Sequence, residues 1–145
     1  MATAHRWRNP ITGEQADLGS LWVIKQLEYN HNTVASSFIS DNIVVNVRVV
    51  KDPNQKLAQV VDYLKTNEPS LRFLNAGTYG SSGELSNWTG IAASASNRDR
   101  HYVVHVTHAK GGYGIFIAAV DRQTAPSFSR LEAFIAQLDK TFGSR

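Results

Sequence analysis

The chain contains no cysteine, a single methionine and only four prolines among its 145 residues. Without a thiol there can be no disulfide framework, cysteine nucleophile, thiolate-bound zinc or lipid-modified amino-terminal cysteine. The scattered prolines build no proline-rich linker, and there are no internal repeats or low-complexity tracts. No window approaches the roughly 18 consecutive apolar residues that a membrane-crossing helix requires. The opening, Met1-Ala2-Thr3-Ala4-His5-Arg6, lacks the apolar core of a secretory signal. The chain as written therefore reads as cytoplasmic, or as periplasmic if a signal segment has been removed. Charge of one sign is scarce too. Fifteen Lys and Arg offset twelve Asp and Glu for a net +3, and the signs alternate along the whole length. The densest basic spot is Arg98-Asp99-Arg100-His101, far short of the basic stripe with interleaved aromatics that marks nucleic-acid binding. No nucleic-acid partner is expected.

What is present is ordinary for a globular chain, with 42% apolar and 19% charged residues in a length that suits one domain over 1–145. The clearest local signal lies near the end. Phe128, Leu131, Ile135, Leu138 and Phe142 recur at steps of three and four, which stacks them on one side of a helix. Arg130, Glu132, Gln137, Asp139 and Lys140 point elsewhere. Pro126 favours the start of this helix and Gly143 its end. A second helix opens at Asp52-Pro53-Asn54-Gln55, with Asp52 as cap, Pro53 in the first helical position and Gln55 completing the capping-box spacing. Leu57, Val60, Val61 and Leu64 form its buried stripe, and Asn67-Glu68-Pro69-Ser70 ends it.

Nearly everything else between Trp22 and Val120 reads as strand. A short hairpin or edge segment involves Trp7 and Ala16-Asp17-Leu18, followed by strands at Trp22–Leu27, Thr33–Ile39 and Ile43–Val50. In the last of these, Ile43, Val45, Val47 and Val49 share one face, with Val44, Asn46, Arg48 and Val50 on the other. Four further runs are Leu71–Tyr79, Asn87–Ser96, His101–His108 and Tyr113–Val120. They are separated by the turn-forming stretches Gly80-Ser81-Ser82-Gly83, Asn97-Arg98-Asp99 and Ala109-Lys110-Gly111-Gly112. Short connections between consecutive strands imply antiparallel pairing. The expected fold class is thus α+β, an antiparallel meander flanked by two helices.

Chemistry-bearing motifs are weak. His101, His105 and His108 invite a metal or catalytic reading. On a strand, however, His101 and His105 lie about 13 Å apart on one face and His108 points the other way. Surface histidines on a half-exposed strand are expected, without metal or other cofactor. Ser81, Ser82 and Ser86 sit in expected loops, but there is no Gly-x-Ser-x-Gly elbow. Gly111-Gly112-Tyr113-Gly114 lacks the lysine of a phosphate loop and reads as a tight hairpin. Asn87-Trp88-Thr89 fits the N-glycosylation triplet at the start of a strand.

Two features suggest a binding surface. Gly90-Ile91-Ala92-Ala93-Ser94-Ala95-Ser96 is unusually small for a strand, so either a helix of this chain or a partner can approach it closely. Trp7, Tyr79, Trp88 and Tyr113 lie beside turns, where aromatics are enriched at interfaces. The candidate partner-binding residues are therefore Tyr79, Trp88, Ala93, Ala95 and Tyr113, with no catalytic or metal-binding residues assigned.

The order of elements resembles the PsbP/DcrB-like superfamily. The matching stretches are Asp17-Leu18-Gly19-Ser20-Leu21-Trp22, where a short strand turns into a Trp, the strand Ile43–Val49 before a capped helix, and the closing helix from Phe128 to Phe142. The resemblance implies an antiparallel sheet between helices, an α/β/α sandwich. It also implies a mostly non-enzymatic role, as in photosystem accessory subunits, envelope lipoproteins and small chaperones of secreted effectors. The expected function is a binding or adaptor domain of a bacterial envelope or secretion system, holding a protein partner or hydrophobic segment, with no transmembrane segment and an oligomeric state left open. The other reading is a small metal- or ligand-dependent enzyme using the His101/His105/His108 strand.

Overall fold

The computed structural model describes residues 6–29, 32–40, 43–52, 54–68, 70–82, 85–96, 100–120 and 125–142. The chain opens with a two-stranded hairpin, β1 (Arg6–Arg8) against β2 (Gln15–Asp17). Then follow β3 (Val23–Tyr29), β4 (Thr33–Ser40) and β5 (Ile43–Val50), helix α1 (Leu57–Asn67), β6 (Leu71–Phe73), β7 (Thr78–Ser82), β8 (Leu85–Ser94), β9 (His101–Ala109), β10 (Gly112–Val120) and helix α2 (Ala125–Phe142).

The strands from β3 to β10 form one antiparallel sheet in the order β3-β4-β5-β10-β9-β8, with β6 and β7 both pairing β8 at the far edge. It is built as two meanders seamed where β5 meets β10, in register from Val50↔Tyr113 to Val44↔Ala119. The crossover through α1 carries the chain from the middle of the sheet to its edge, so β5 and β6 are consecutive strands without being neighbours. The fold class is α+β, with the strands flanked by a helix on each face.

The two faces follow from strand alternation. On β5, Ile43, Val45, Val47 and Val49 are buried, and Val44, Asn46 and Arg48 are exposed. The buried set faces α2 and the amino-terminal hairpin. There Trp7, Trp22, Phe38, Phe116, Phe134 and Phe142 share one apolar cluster with Leu131 and Leu138. Trp22 lies over Phe134 with ring centres 4.3 Å apart, and Phe134 meets Phe38 at 5.0 Å. Polar bonds fasten the hairpin to the end of α2. Buried Asn9 donates from Nδ2 to Thr141 Oγ1 at 3.1 Å, and Thr12 Oγ1 donates to the Thr141 carbonyl at 2.6 Å.

The helix stripe differs in one member from the one expected. Leu131, Phe134, Leu138 and Phe142 are buried, while Ile135 sits half-buried at the margin. The side chain of Phe128 and the stop at Gly143 lie outside the described residues. Asp139, expected to point away, turns toward the sheet.

The opposite face carries the second cluster, in which Val60, Val61 and Leu64 of α1 cover Leu71, Trp88, Ala92, Val104, Val106 and Ile115. Helix α1 begins four residues later than its Asp-Pro signal suggests. Asp52 is spent on a local turn, its Oδ1 accepting the Asn54 N–H at 3.1 Å. The helix instead starts at Leu57, where Gln59 Oε1 accepts the Lys56 N–H at 2.9 Å; Pro53 lies outside the described residues. Glu68 caps its far end, donating its backbone N–H to the Leu64 carbonyl at 3.3 Å. The run Leu71–Tyr79 is not one strand. It breaks after Phe73, and Gly80, Ser81 and Ser82 continue β7 instead of forming a turn, so Ser81 pairs with Ser86. The expected turn at Gly111-Gly112 is present as the tight connection from β9 to β10, with Ala109 opposite Gly112.

Candidate functional site

Cross-strand register arranges the α1-side face in rows. One row runs Val23, Ile39, Val44, Ala119, Tyr102, Ala92, Phe73 from one edge of the sheet to the other. The next holds Lys25, Ser37, Asn46, Ile117, Val104 and Gly90, and the one after it Ala35, Arg48, Ile115, Val106 and Trp88. Helix α1 packs against β6, β8 and β9 and therefore covers only the second half of each row. The β3-β4-β5 half stays open, with Val23 45% and Val44 36% exposed.

At the border between covered and open halves lies a cavity of about 480 Å³, within the roughly 300–1,000 Å³ usual for ligand sites. Its floor is Ile115, Ile117 and Leu71; Asn46, Arg48 and Tyr102 supply polar groups, and Glu68 stands at the end of α1. The side chains of Asn46, Arg48 and Tyr102 make no hydrogen bond or ion pair with any described residue. Glu68 Oε1 already accepts the Ser70 hydroxyl at 3.0 Å. Beside Arg48, the Tyr113 phenol is raised above its ordinary pKa by burial and by the Asp52 carboxylate, with Arg48 pulling the other way.

The residues singled out from sequence fall in different places. Trp88 is fully buried, a core residue under α1 and not a surface anchor. Its ring fills the space above Gly90, where an added Cβ would come within 2.4 Å of the indole, and its Nε1 donates to the Ala76 carbonyl at 3.1 Å. Phe73 packs on it with ring centres 5.8 Å apart. The small-residue stretch is thus explained from inside, with Trp88 and α1 taking up the room. Ala93 is buried on the other face, while Ala95 lies exposed beyond the end of β8. Tyr113 is half-buried against the α1 cluster. Tyr79 alone of the five is a large exposed side chain, at 55%, and it does not border the cavity. Trp7 is buried in the α2 cluster.

The three histidines are not brought together. His108 faces α1, with its Nε2 against the Gln55 carbonyl. His101 and His105 face the α2 side, opposite Ala93 and Thr89 of β8. Contrary to a surface role, His105 is only 6% exposed. Its Nε2 lies 2.8 Å from Asp139 Oδ2, its Nδ1 lies 2.8 Å from Thr89 Oγ1, and Thr107 Oγ1 donates to Asp139 Oδ1 at 2.5 Å. A carboxylate only accepts, so Nε2 carries hydrogen, and in the neutral ring Nδ1 receives the Thr89 hydroxyl. This hydroxyl–imidazole–carboxylate chain has the connectivity of a nucleophile with its base and orienting acid. Its setting differs from an active site. Thr89 sits in mid-strand with β7 and β9 paired on either side, so its backbone offers no free N–H pair for an oxyanion. The cavity also opens on the opposite face. The chain of bonds suits fixing α2 to β9. Among the described residues, no cluster of three or more His, Asp or Glu has metal-binding geometry, and no helix is long and apolar enough to cross a membrane.

Sequence reasoning placed Asn46 and Arg48 on the right face of β5 but assigned them nothing. The available signal was their polarity inside an otherwise valine-rich strand. The Asp139–His105 pairing, 34 residues apart in sequence, carried no local signal. No protein-family model matches the chain, and no curated protein matches it.

Proposed function

We propose that this protein acts by binding and not by catalysis, as an accessory domain that holds a segment of a protein partner across the open half of its α1-side face. The observation that carries this reading is the apolar row from Phe73 to Val23. It continues past the edge of α1 onto a surface where, among the described residues, no helix packs on the exposed Val23 and Val44 or the half-buried Ile39 and Ala119. Sheets bury an apolar face wherever they can, and α1 and α2 each show what this sheet accepts, an amphipathic helix laid on valine and aromatic side chains. An amphipathic helical segment with an acidic flank fits the remaining half, because the Lys25 and Arg48 side chains, among the described ones, carry positive charge there. Similarity of element order to PsbP/DcrB-like domains supports placing the domain among bacterial envelope or secretion accessory proteins.

The test is site-directed. A photo-crosslinking residue at Val44 should trap one defined partner in cells, while the same residue at exposed Ile91, on the opposite face, should not. With the complex purified, Val44→Arg should weaken binding at least about tenfold, the loss expected when a buried interface position becomes charged. Ile91→Arg should leave it unchanged, and both variants should melt like the parent. Identical crosslinks from the two positions, or full binding by Val44→Arg, would refute the assignment.

A further inference from the structure

We infer that the cavity beside Arg48 receives a carboxylate carried next to an apolar side chain, an acidic residue adjoining a Leu- or Ile-like one on the partner segment. This rests on the open-face reading and specifies its chemistry. Three polar groups converge on one space without partners among the described residues: the Arg48 guanidinium, the Asn46 amide and the Tyr102 hydroxyl. The guanidinium can only donate, and the other two can each donate as well. Such a set matches an acceptor with several lone pairs, and a carboxylate takes the planar fork of arginine on both oxygens.

The floor beneath is apolar, made by Ile115, Ile117 and Leu71. A bare inorganic anion would leave that floor wet, whereas an apolar side chain beside the carboxylate would cover it. Among the described lining residues the acidic one, Glu68, is half-buried at the end of α1 and already engaged by Ser70. It repels a second carboxylate, so the acid must lie toward β5 and the apolar side chain toward α1. Partial enclosure strengthens the pair relative to an ion pair on open surface, where screening leaves little.

The inference is tested by nitrogen-15 NMR titration, following the Asn46 side-chain amide and the Arg48 Nε–H. The probes are a blocked short peptide with a central Leu-Glu pair, its Leu-Gln counterpart, and 4-phenylbutyrate as a free acid. The Leu-Glu peptide should bind about tenfold more tightly than Leu-Gln, the margin that a charge-assisted hydrogen bond contributes. The preference should vanish in Arg48→Gln and persist in Arg72→Gln, whose side chain is exposed on the opposite face. Equal affinity for the two peptides, or a preference that survives Arg48→Gln in a protein with an unchanged melt, overturns the inference. Arg48-dependent binding of 4-phenylbutyrate alone also overturns it, by identifying a free acid as the ligand. If none of the probes binds while Val44→Arg still disrupts the partner complex, the carboxylate inference fails and the docking assignment stands.

Discussion

Replacing Asp139 with Ala should remove the acceptor that holds α2 to β9. Two buried donors lose this acceptor, the Thr107 hydroxyl, wholly inaccessible, and the His105 Nε2–H in a residue 6% exposed, although Nε2 still lies 2.9 Å from Thr107 Oγ1. An orphaned buried donor costs about 1–3 kcal/mol, so the pair would cost about 2–6 kcal/mol if neither found another acceptor, and the Thr107–His105 contact brings the cost toward the lower end. The Asp139 side chain is 18% exposed, so water can enter its place and satisfy one donor. The lower part of the range, about 2–3 kcal/mol, is therefore expected. That is a large share of a stability of about 5–15 kcal/mol, and it should lower the melting temperature by about 6–12 °C. Urea unfolding followed by tryptophan fluorescence measures it directly, with the slope against denaturant unchanged if only the folded state is affected. Asp139→Asn provides the internal control. Its carbonyl can still accept from Thr107 and its amide can donate to Nε2, if the imidazole moves its proton to Nδ1 and donates to Thr89. All the polar atoms then remain partnered, and the loss should fall to about 1 kcal/mol. A loss below about 0.5 kcal/mol for Asp139→Ala would show that the network is not a fastening. Equal losses for Ala and Asn would refute the proton relocation.

Other substitutions probe the two cores and the cavity border. Leu138→Ala and Leu131→Ala each delete a fully or nearly fully buried side chain in the α2 layer, and each should cost ~2–5 kcal/mol by denaturant unfolding. Ala93→Trp should destabilise by ~1–3 kcal/mol because Ala93 is 2% exposed, whereas Ala95→Trp, on an exposed site, should melt like the parent. The raised Tyr113 pKa has a defined sign. The folded state holds the phenol proton more tightly than the unfolded state, so this stability is complete below pH about 10 and declines as pH rises through the folded-state value. Unfolding curves at pH 9 and 11 should therefore converge in Tyr113→Phe relative to the parent, once the shared alkaline loss is subtracted.

Much of the architecture was legible because it rests on local periodicity. Ile43–Val50 alternates since one side of β5 meets the α2 core and the other meets solvent, and the strand observed has the limits expected. The helices were visible from their stripes, yet the capping residue of α1 was not. Asp52 and Gln59 compete to satisfy the first backbone groups, and geometry favours a turn on Asn54 followed by a start at Leu57. Phe134 and Ile135 are adjacent, and a stripe read at steps of three and four can take either. Stacking on Trp22 and Phe38, residues distant in sequence, selects Phe134. The same limitation of local reading explains Trp88. An aromatic near a turn resembles an interface residue until the helix that buries it is placed. The cavity residues were hidden for a related reason, since nothing along β5 announces that α1 covers only half of its sheet face.

The fastening of the amino-terminal hairpin to the end of α2 has a kinetic consequence. Asn9 and Thr141 lie 132 positions apart, and the layer they close joins Trp7 and Phe142, ring centres 6.5 Å apart. By contrast, the α1 layer draws its members from positions 57–117, a single continuous stretch. Bringing distant segments together spends chain entropy before any contact repays it. The α1 layer and its β8-β9-β10 meander are therefore suited to consolidate first, leaving a partly finished sheet whose other face still displays Phe116 and Ala118. Arrival of the closing helix would then be the slow, late step of refolding. Substitutions in α2 should accordingly act chiefly on the unfolding rate, and those under α1 on the folding rate.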